Sequence, residues 1–165
     1  MDEELLYMMR KISLNWTMQL EMNLKDKNVT GIQVYFLVYI LRHHVKGTYL
    51  TELYHEIGVS KATLSAMIKK LIKEGYLYFQ ENPEDIRKKK VLPTEKLMAD
   101  KEEFLKRARQ TEDKICSALN CQEKMKLREL EQKILEQCER TEHKEKKEDG
   151  RFYKHEKSFT AAGKV

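Results

Sequence analysis

At 165 residues the chain has room for one domain with a real core and too little length to expect two. Apolar residues make up 41% and charged residues 36%, with only 2 Pro and 6 Gly to interrupt helices, which favours long amphipathic helices over a many-turned sheet protein. No run of about 18 apolar residues occurs, the start Met1-Asp2-Glu3-Glu4 lacks the positive charge of a secretory signal, and three cysteines without a C-x-x-C pair form no disulfide framework, so a cytoplasmic chain with no membrane span is expected.

The net charge of +5 is modest, and its placement matters more than its size. Residues 60–96 hold nine Lys and Arg against five Asp and Glu, and the segment from 140 onward holds eight against five. The rest of the chain is slightly acidic. A local positive excess of this kind is what a surface facing a polyanion requires.

In chain order, Leu5, Met9, Ile12, Trp16 and Leu20 recur at helical spacing and predict an amphipathic helix over 3–25, closed by Lys25-Asp26-Lys27-Asn28. Thr30 with Gln33 three residues later reads as a capping box opening a second helix, whose apolar stripe is Val34, Leu37, Val38 and Leu41. His43-His44 and Gly47 close it. Thr48 to Leu50 is short and β-prone and predicts a small strand, after which Thr51 is expected to cap a brief helix, Glu52 to Ile57, ended by Gly58. Ser60 caps the next helix, with Leu64, Met67, Ile68, Leu71 and Ile72 as its stripe and Gly75 as its end. Two helices separated by Gly58-Val59-Ser60 make a helix-turn-helix.

After Gly75 the apolar period changes from 3.6 to 2. Tyr76 to Gln80 predicts a strand, Asn82-Pro83-Glu84-Asp85 a turn, and Lys88 to Leu92 a returning strand, together a β-hairpin wing. Beyond Pro93-Thr94 one long helix is expected, carrying Leu97, Phe104, Leu105, Ala108, Ile115 and Leu119. A last helix opens at Asn120, with Glu123 completing a second capping box, and carries Leu127, Leu130, Ile134 and Cys138. Residues 143–165 are charged and aperiodic and read as a flexible tail. The fold expected is mainly α with a small β-hairpin wing: a winged helix-turn-helix lobe over about 30–96, dimerisation helices over 3–25 and 97–142, and a single unit over 1–142.

This order of elements resembles the MarR family of bacterial and archaeal regulators. The resemblance is carried by Gly58-Val59-Ser60-Lys61-Ala62-Thr63-Leu64, Leu71-Ile72-Lys73-Glu74-Gly75-Tyr76-Leu77, Asn82 to Val91 and Thr94-Glu95-Lys96, and spans roughly 5–142. It implies a homodimer that binds double-stranded DNA and regulates transcription, more often as a repressor, with release by a small-molecule effector. In the family's wing an Asp, any residue and an Arg recur, the arginine entering the minor groove; Asp85 and Arg87 hold those places here. The chain departs from the pattern at Ile86, Pro93, Leu97 and Ala66, the last standing where the recognition helix often has Arg.

With the apolar stripe of the second motif helix facing the core, Lys61, Ala62, Thr63, Ser65, Ala66 and Lys69 turn outward as candidates for the major groove, and Ser60 leaves a helix N-terminus suited to phosphate. No Arg, Asn or Gln stands among them, so shape and backbone contacts are expected to carry much of the specificity. Arg87, Lys88, Lys89 and Lys90 place cations near the hairpin tip, with Asp85 expected to orient the Arg87 guanidinium by a charge-assisted hydrogen bond. The stripes of the first and the last two helices have no partner inside a monomeric lobe and are expected to pack across a two-fold axis, setting a pseudo-palindromic site.

Trp16, Tyr35 and Tyr39 are candidates for an effector pocket, against the default account of core packing. Adjacent His43 and His44 point about 100° apart in a helix, so no metal site is expected. Cys116 and Cys138 fall near core stripes, while Cys121 follows a helix cap where a thiol is activated. No nucleophile-base arrangement or phosphate-cradling glycine loop occurs; neither a cofactor nor an enzyme is expected. The alternative reading is a protein-interaction module that keeps the winged-helix fold without operator binding.

Overall fold

The computed structural model describes the backbone of residues 3–160, and within it the side chains apart from those of Glu3, Ile86 and 143–160. Two compact units result, Met1–Ile115 and Cys116–Val165.

The first unit opens with α1 (Glu3–Asn23), a 3-10 turn over Lys25–Lys27, and α2 (Gly31–His43). The capping box forms as read: Thr30 Oγ1 accepts the Gln33 backbone N–H at 3.4 Å, and Gln33 Oε1 accepts that of Thr30 at 2.8 Å. Burial on α2 is wider than the four-residue stripe, since Phe36 and Ile40 are as buried as Val34, Leu37 and Leu41. At 100° per residue the buried positions cover an arc of roughly 220°, so α2 is the central helix of the unit. Gly31 lets it lie close to α1: a Cβ there would stand 1.9 Å from the backbone oxygen of Thr17.

Thr48–Tyr49 form β1, and α3 (Leu50–Ile57) starts two residues earlier than expected. The reason is local: the Glu52 carboxylate accepts from Thr48 Oγ1 (3.0 Å) and from the Tyr49 backbone N–H (3.4 Å), so the helix is closed off at Tyr49 and Thr51 lies inside it. Gly58 takes φ 76°, the left-handed geometry that turns the chain into α4 (Lys61–Lys73). Ser60 Oγ accepts the Thr63 backbone N–H at 3.1 Å, and Leu64, Ile68 and Leu71 are buried.

β2 (Leu77–Asn82) and β3 (Asp85–Pro93) make the wing, with β1 on the other side of β3 in an antiparallel sheet ordered β1-β3-β2. Pairs from Leu77↔Pro93 to Glu81↔Lys89 keep one register, and the next is Asn82↔Asp85. Ile86, Arg87 and Lys88 are therefore bulged out of the ladder.

The long helix expected beyond Thr94 is interrupted. α5 (Glu95–Ala99) ends at Asp100, and α6 (Lys101–Ile115) starts there, with the Phe104 N–H bonded to the Asp100 oxygen. The Asp100 carboxylate is drawn to Lys27 Nζ at 2.9 Å, and aspartate favours a cap over a helix interior. Leu97, Phe104 and Ala108 are buried in the core of this same unit, beside Leu20 and the α2 residues. The expectation that this helix offers its stripe to a two-fold partner is thereby corrected, because the inner face of α6 is already covered by α1 and α2. Arg107 pairs with Asp26 and Glu103 and donates to the Asn23 carbonyl at 3.0 Å, joining the first turn region to α6.

In the second unit a 3-10 turn over Cys116–Ala118 precedes α7 (Cys121–Thr160). Its cap is the second capping box, with Asn120 N–H to Glu123 Oε2 at 2.8 Å and Glu123 N–H to Asn120 Oδ1 at 3.0 Å. The helical backbone runs through 143–160, where an irregular tail is expected; Lys and Glu, which dominate there, are good helix formers. Residues 161–165 of that tail lie outside the described residues. Met125, Leu127, Leu130, Ile134 and Leu135 of α7 are exposed, as are Leu5, Met9 and Ile12 of α1.

Gly31→Ala should lower the unfolding free energy by about 2–3 kcal/mol, since the added methyl has backbone rather than a flexible side chain in its way. Urea denaturation checks this; an unchanged midpoint would show that α1 and α2 separate easily.

Candidate nucleic-acid interface

On α4, Ser60, Lys61, Ala62, Thr63, Ala66 and Lys69 are exposed and Ser65 is half-buried. Thr63 is less free than its exposure suggests, because its Oγ1 lies 2.8 Å from Ser60 Oγ within the cap. Lys61 Nζ sits 5.3 Å from the centre of the Tyr54 ring on α3, a cation held against an aromatic face. The sequence reading missed Lys70 and Lys73, both exposed. Carrying the 100° step one turn further would have found them, since Lys73 falls in line with Ala62, Ala66 and Lys69.

In the wing, Arg87, Lys88 and Lys89 are exposed and Lys90 is half-buried. Strand alternation sends Lys89 and Lys90 to opposite faces, so the four cations do not form one patch. Lys89 Nζ lies 5.7 Å from the Phe79 ring centre. Asp85 acts differently from the expected role: its Oδ1 accepts the backbone N–H of Arg87 at 3.0 Å. The carboxylate thus shapes the bulge and leaves the guanidinium unpaired among the described ion pairs, which is a correction to the expected side-chain bond. Asn82 Oδ1 makes the matching turn bond to the Glu84 N–H at 3.0 Å.

Trp16, Tyr35 and Tyr39 are brought together on a cleft of about 150 Å³, joined by Arg42, His43 and Glu112. The Tyr39 hydroxyl donates to Glu56 Oε2 at 2.8 Å, and His44 Nε2 lies 2.6 Å from the same oxygen, so one α3 carboxylate gathers a side chain of α2 and that of the residue that caps it. Burial and the Glu56 bond push the Tyr39 hydroxyl up to about 12, which keeps it a donor throughout the neutral range. For Glu56 burial works upward, yet the bonds from His44 and Tyr39 outweigh it and hold the carboxyl below its ordinary range. Among the described residues no cluster of His, Cys, Asp or Glu could hold a metal ion, and no helix is long and apolar enough to cross a membrane. Cys116 is half-buried, and Cys121 and Cys138 are exposed, so Cys138 is not the buried hydrophobe its spacing suggests.

Residues 33–89 match the family model described as MarR family. Across this segment the chain is similar to the MarR family. No curated protein matches the chain significantly. Among solved structures, a MarR protein from Peptoclostridium difficile is 24% identical with a TM-score of 0.75, over 84% of this chain and 90% of that one. A MarR family transcriptional regulator from Listeria monocytogenes complexed with a 26mer DNA is 20% identical with a TM-score of 0.73, over 80% and 87%. A mutant MarR from E. coli complexed with operator DNA is 20% identical with a TM-score of 0.71, over 81% and 94%. These likenesses establish the MarR fold: mainly helical, with a small antiparallel wing.

A depressed carboxyl stabilises the fold above its unfolded-state pKa, and the contribution disappears as pH falls through the lower folded value. Glu56→Gln should therefore be less stable than the parent near neutrality, with the gap closing in acid. Urea midpoints between about pH 3 and 7 test this; parallel curves at every pH would show that the Glu56 charge contributes nothing.

Proposed function

We propose that this chain is a MarR-family regulator, cytoplasmic and homodimeric, that binds a pseudo-palindromic operator in double-stranded DNA, acts as a repressor, and is released by a small-molecule effector. The observation that carries the reading is the pairing, on one lobe, of an outward α4 face bearing Lys61 and Lys69 with a bulged wing tip whose Arg87 has no carboxylate partner among the described ion pairs. Unneutralised cations beside small side chains suit phosphate contacts and close approach to base edges, and a guanidinium suits a narrow minor groove. Two relatives of the same fold are solved with DNA, one of them with operator DNA.

In this proposal Ser60 and Lys61 take phosphate, Ala62, Thr63 and Ser65 approach bases, Lys69 takes phosphate or guanine, and Arg87 with Lys88 and Lys89 holds the flanking groove. Asp85 shapes the loop that presents Arg87. The exposed apolar faces of α1 and α7 support dimerisation, which would set two recognition helices about 34 Å apart, one turn of DNA. Trp16, Tyr35 and Tyr39 would take the effector. The cleft is below the 300–1,000 Å³ usual for drug-sized ligands, so its occupant is small. A second reading, a protein-interaction module without operator binding, draws on Ala66 and Ile86, which stand where arginines are common.

Arg87→Ala and Lys61→Ala should each weaken duplex binding and flatten its salt dependence by about one unit of log–log slope, with the melting temperature unchanged. Titrations at two salt concentrations decide; unaltered affinity removes both residues from the DNA face. Selection of genomic fragments separates the two readings, because an interaction module enriches no palindrome. Leu130→Asp or Ile134→Asp should yield monomers in sedimentation, and an undisturbed dimer would put the seam elsewhere.

A further inference from the structure

Gln33 is 1% exposed and uses both ends of its side-chain amide. Its Oε1 closes the α2 capping box. Its Nε2 crosses to Glu74, the residue that ends α4, and lies 3.1 Å and 3.4 Å from the two carboxylate oxygens. A capping box accepts Glu as readily as Gln, so the cap alone does not call for an amide. The second bond does: a carboxylate at this buried position would lose the donor and face that of Glu74 at the cost of like-charge repulsion or of taking up a proton.

The consequence is directional. Leu64, Ile68 and Leu71 decide which side of α4 faces inward, and close packing confines the helix to a narrow range of rotations, but apolar contact is non-directional and does not select one rotation within that range. The Gln33–Glu74 bond is directional and sits at the C-terminal end of that helix. The Glu74 carbonyl is held as well, by Lys96 Nζ at 3.2 Å. At the other end the Ser60 cap closes the helix. Turning α4 so that Ala62, Ala66 and Lys69 shift relative to the wing therefore breaks the Gln33 contact.

We propose that Gln33, buried and remote from the exposed face of α4, is a positioning residue for DNA reading, fixing through Glu74 the rotation at which α4 meets the duplex. This rests on the DNA-binding reading above. The test uses the full chain, a labelled duplex selected by the parent protein, and a temperature well below each variant's melting point. Gln33→Glu should weaken duplex affinity about tenfold near neutral pH, the equivalent of one charge-assisted hydrogen bond. The salt slope should not change, because no phosphate contact is lost. Combining Gln33→Glu with Glu74→Gln reverses the polarity of the bond, the amide at 74 now donating to the carboxylate at 33, and should restore affinity to within about threefold of the parent. If Gln33→Glu does not fold, Glu74→Ala breaks the same bond and should show the same loss at unchanged slope. A parent chain that binds DNA beside a folded variant of unaltered affinity, or a swap that restores the melting temperature and not the affinity, overturns the inference alone. A parent chain that selects no duplex overturns the DNA-binding reading and this inference with it.

Discussion

Burial of α2 over more than half its circumference is the constraint on which the rest of the first unit depends. A helix covered so broadly cannot be served by one neighbour. α1 and α6 take up part of its surface, α3 and α4 contribute to the same core, and Gly31 supplies the close approach that α1 needs. Because packed interiors tolerate little change in volume, the positions of α3 and α4 relative to α2 follow from this arrangement within narrow limits. The exposed α4 face is thus a by-product of core packing: once Leu64, Ile68 and Leu71 are inside, Ala62, Ala66 and Lys69 have only solvent to face.

Charge is distributed in two styles. Around the start of α6, Lys27, Arg107, Asp26, Asp100 and Glu103 form a mutually paired network that links the turn after α1 to α6. The Asp26 carboxylate raises the Arg107 guanidinium further against the opposing effect of burial, and Asp100 does the same for Lys27. On α4 and in the wing bulge the described ion pairs include none of the cations. Paired charges hold parts of a protein to one another, whereas unpaired ones remain available to an outside partner.

The aromatic cleft and the helix-turn-helix meet at one oxygen. Tyr39 lines the cleft and donates to Glu56, which belongs to α3, and His44 binds there too. Only an acceptor for the Tyr39 hydroxyl proton competes with this bond, since the oxygen itself is still free to accept.

Local features were legible in the sequence because they are set by residues close together in the chain. The capping boxes at Thr30 and Asn120, the Ser60 cap, the left-handed turn at Gly58 and the period change at Gly75 each need only a few neighbours, and all appear where the spacing puts them. The outward positions of α4 followed too, since helical period alone assigns them. What required the tertiary structure was every feature that depends on a distant partner. Asp100, paired with Lys27, stands where one expected helix becomes two, α1 and α2 cover Phe104 and Ala108, and Glu74 gives the Gln33 amide a use beyond its cap. Asp85 could have bonded either the guanidinium or the backbone of Arg87, and only the bulge in the folded wing selects the backbone, because periodicity reports which side of an element is apolar and says nothing of what lies across from it.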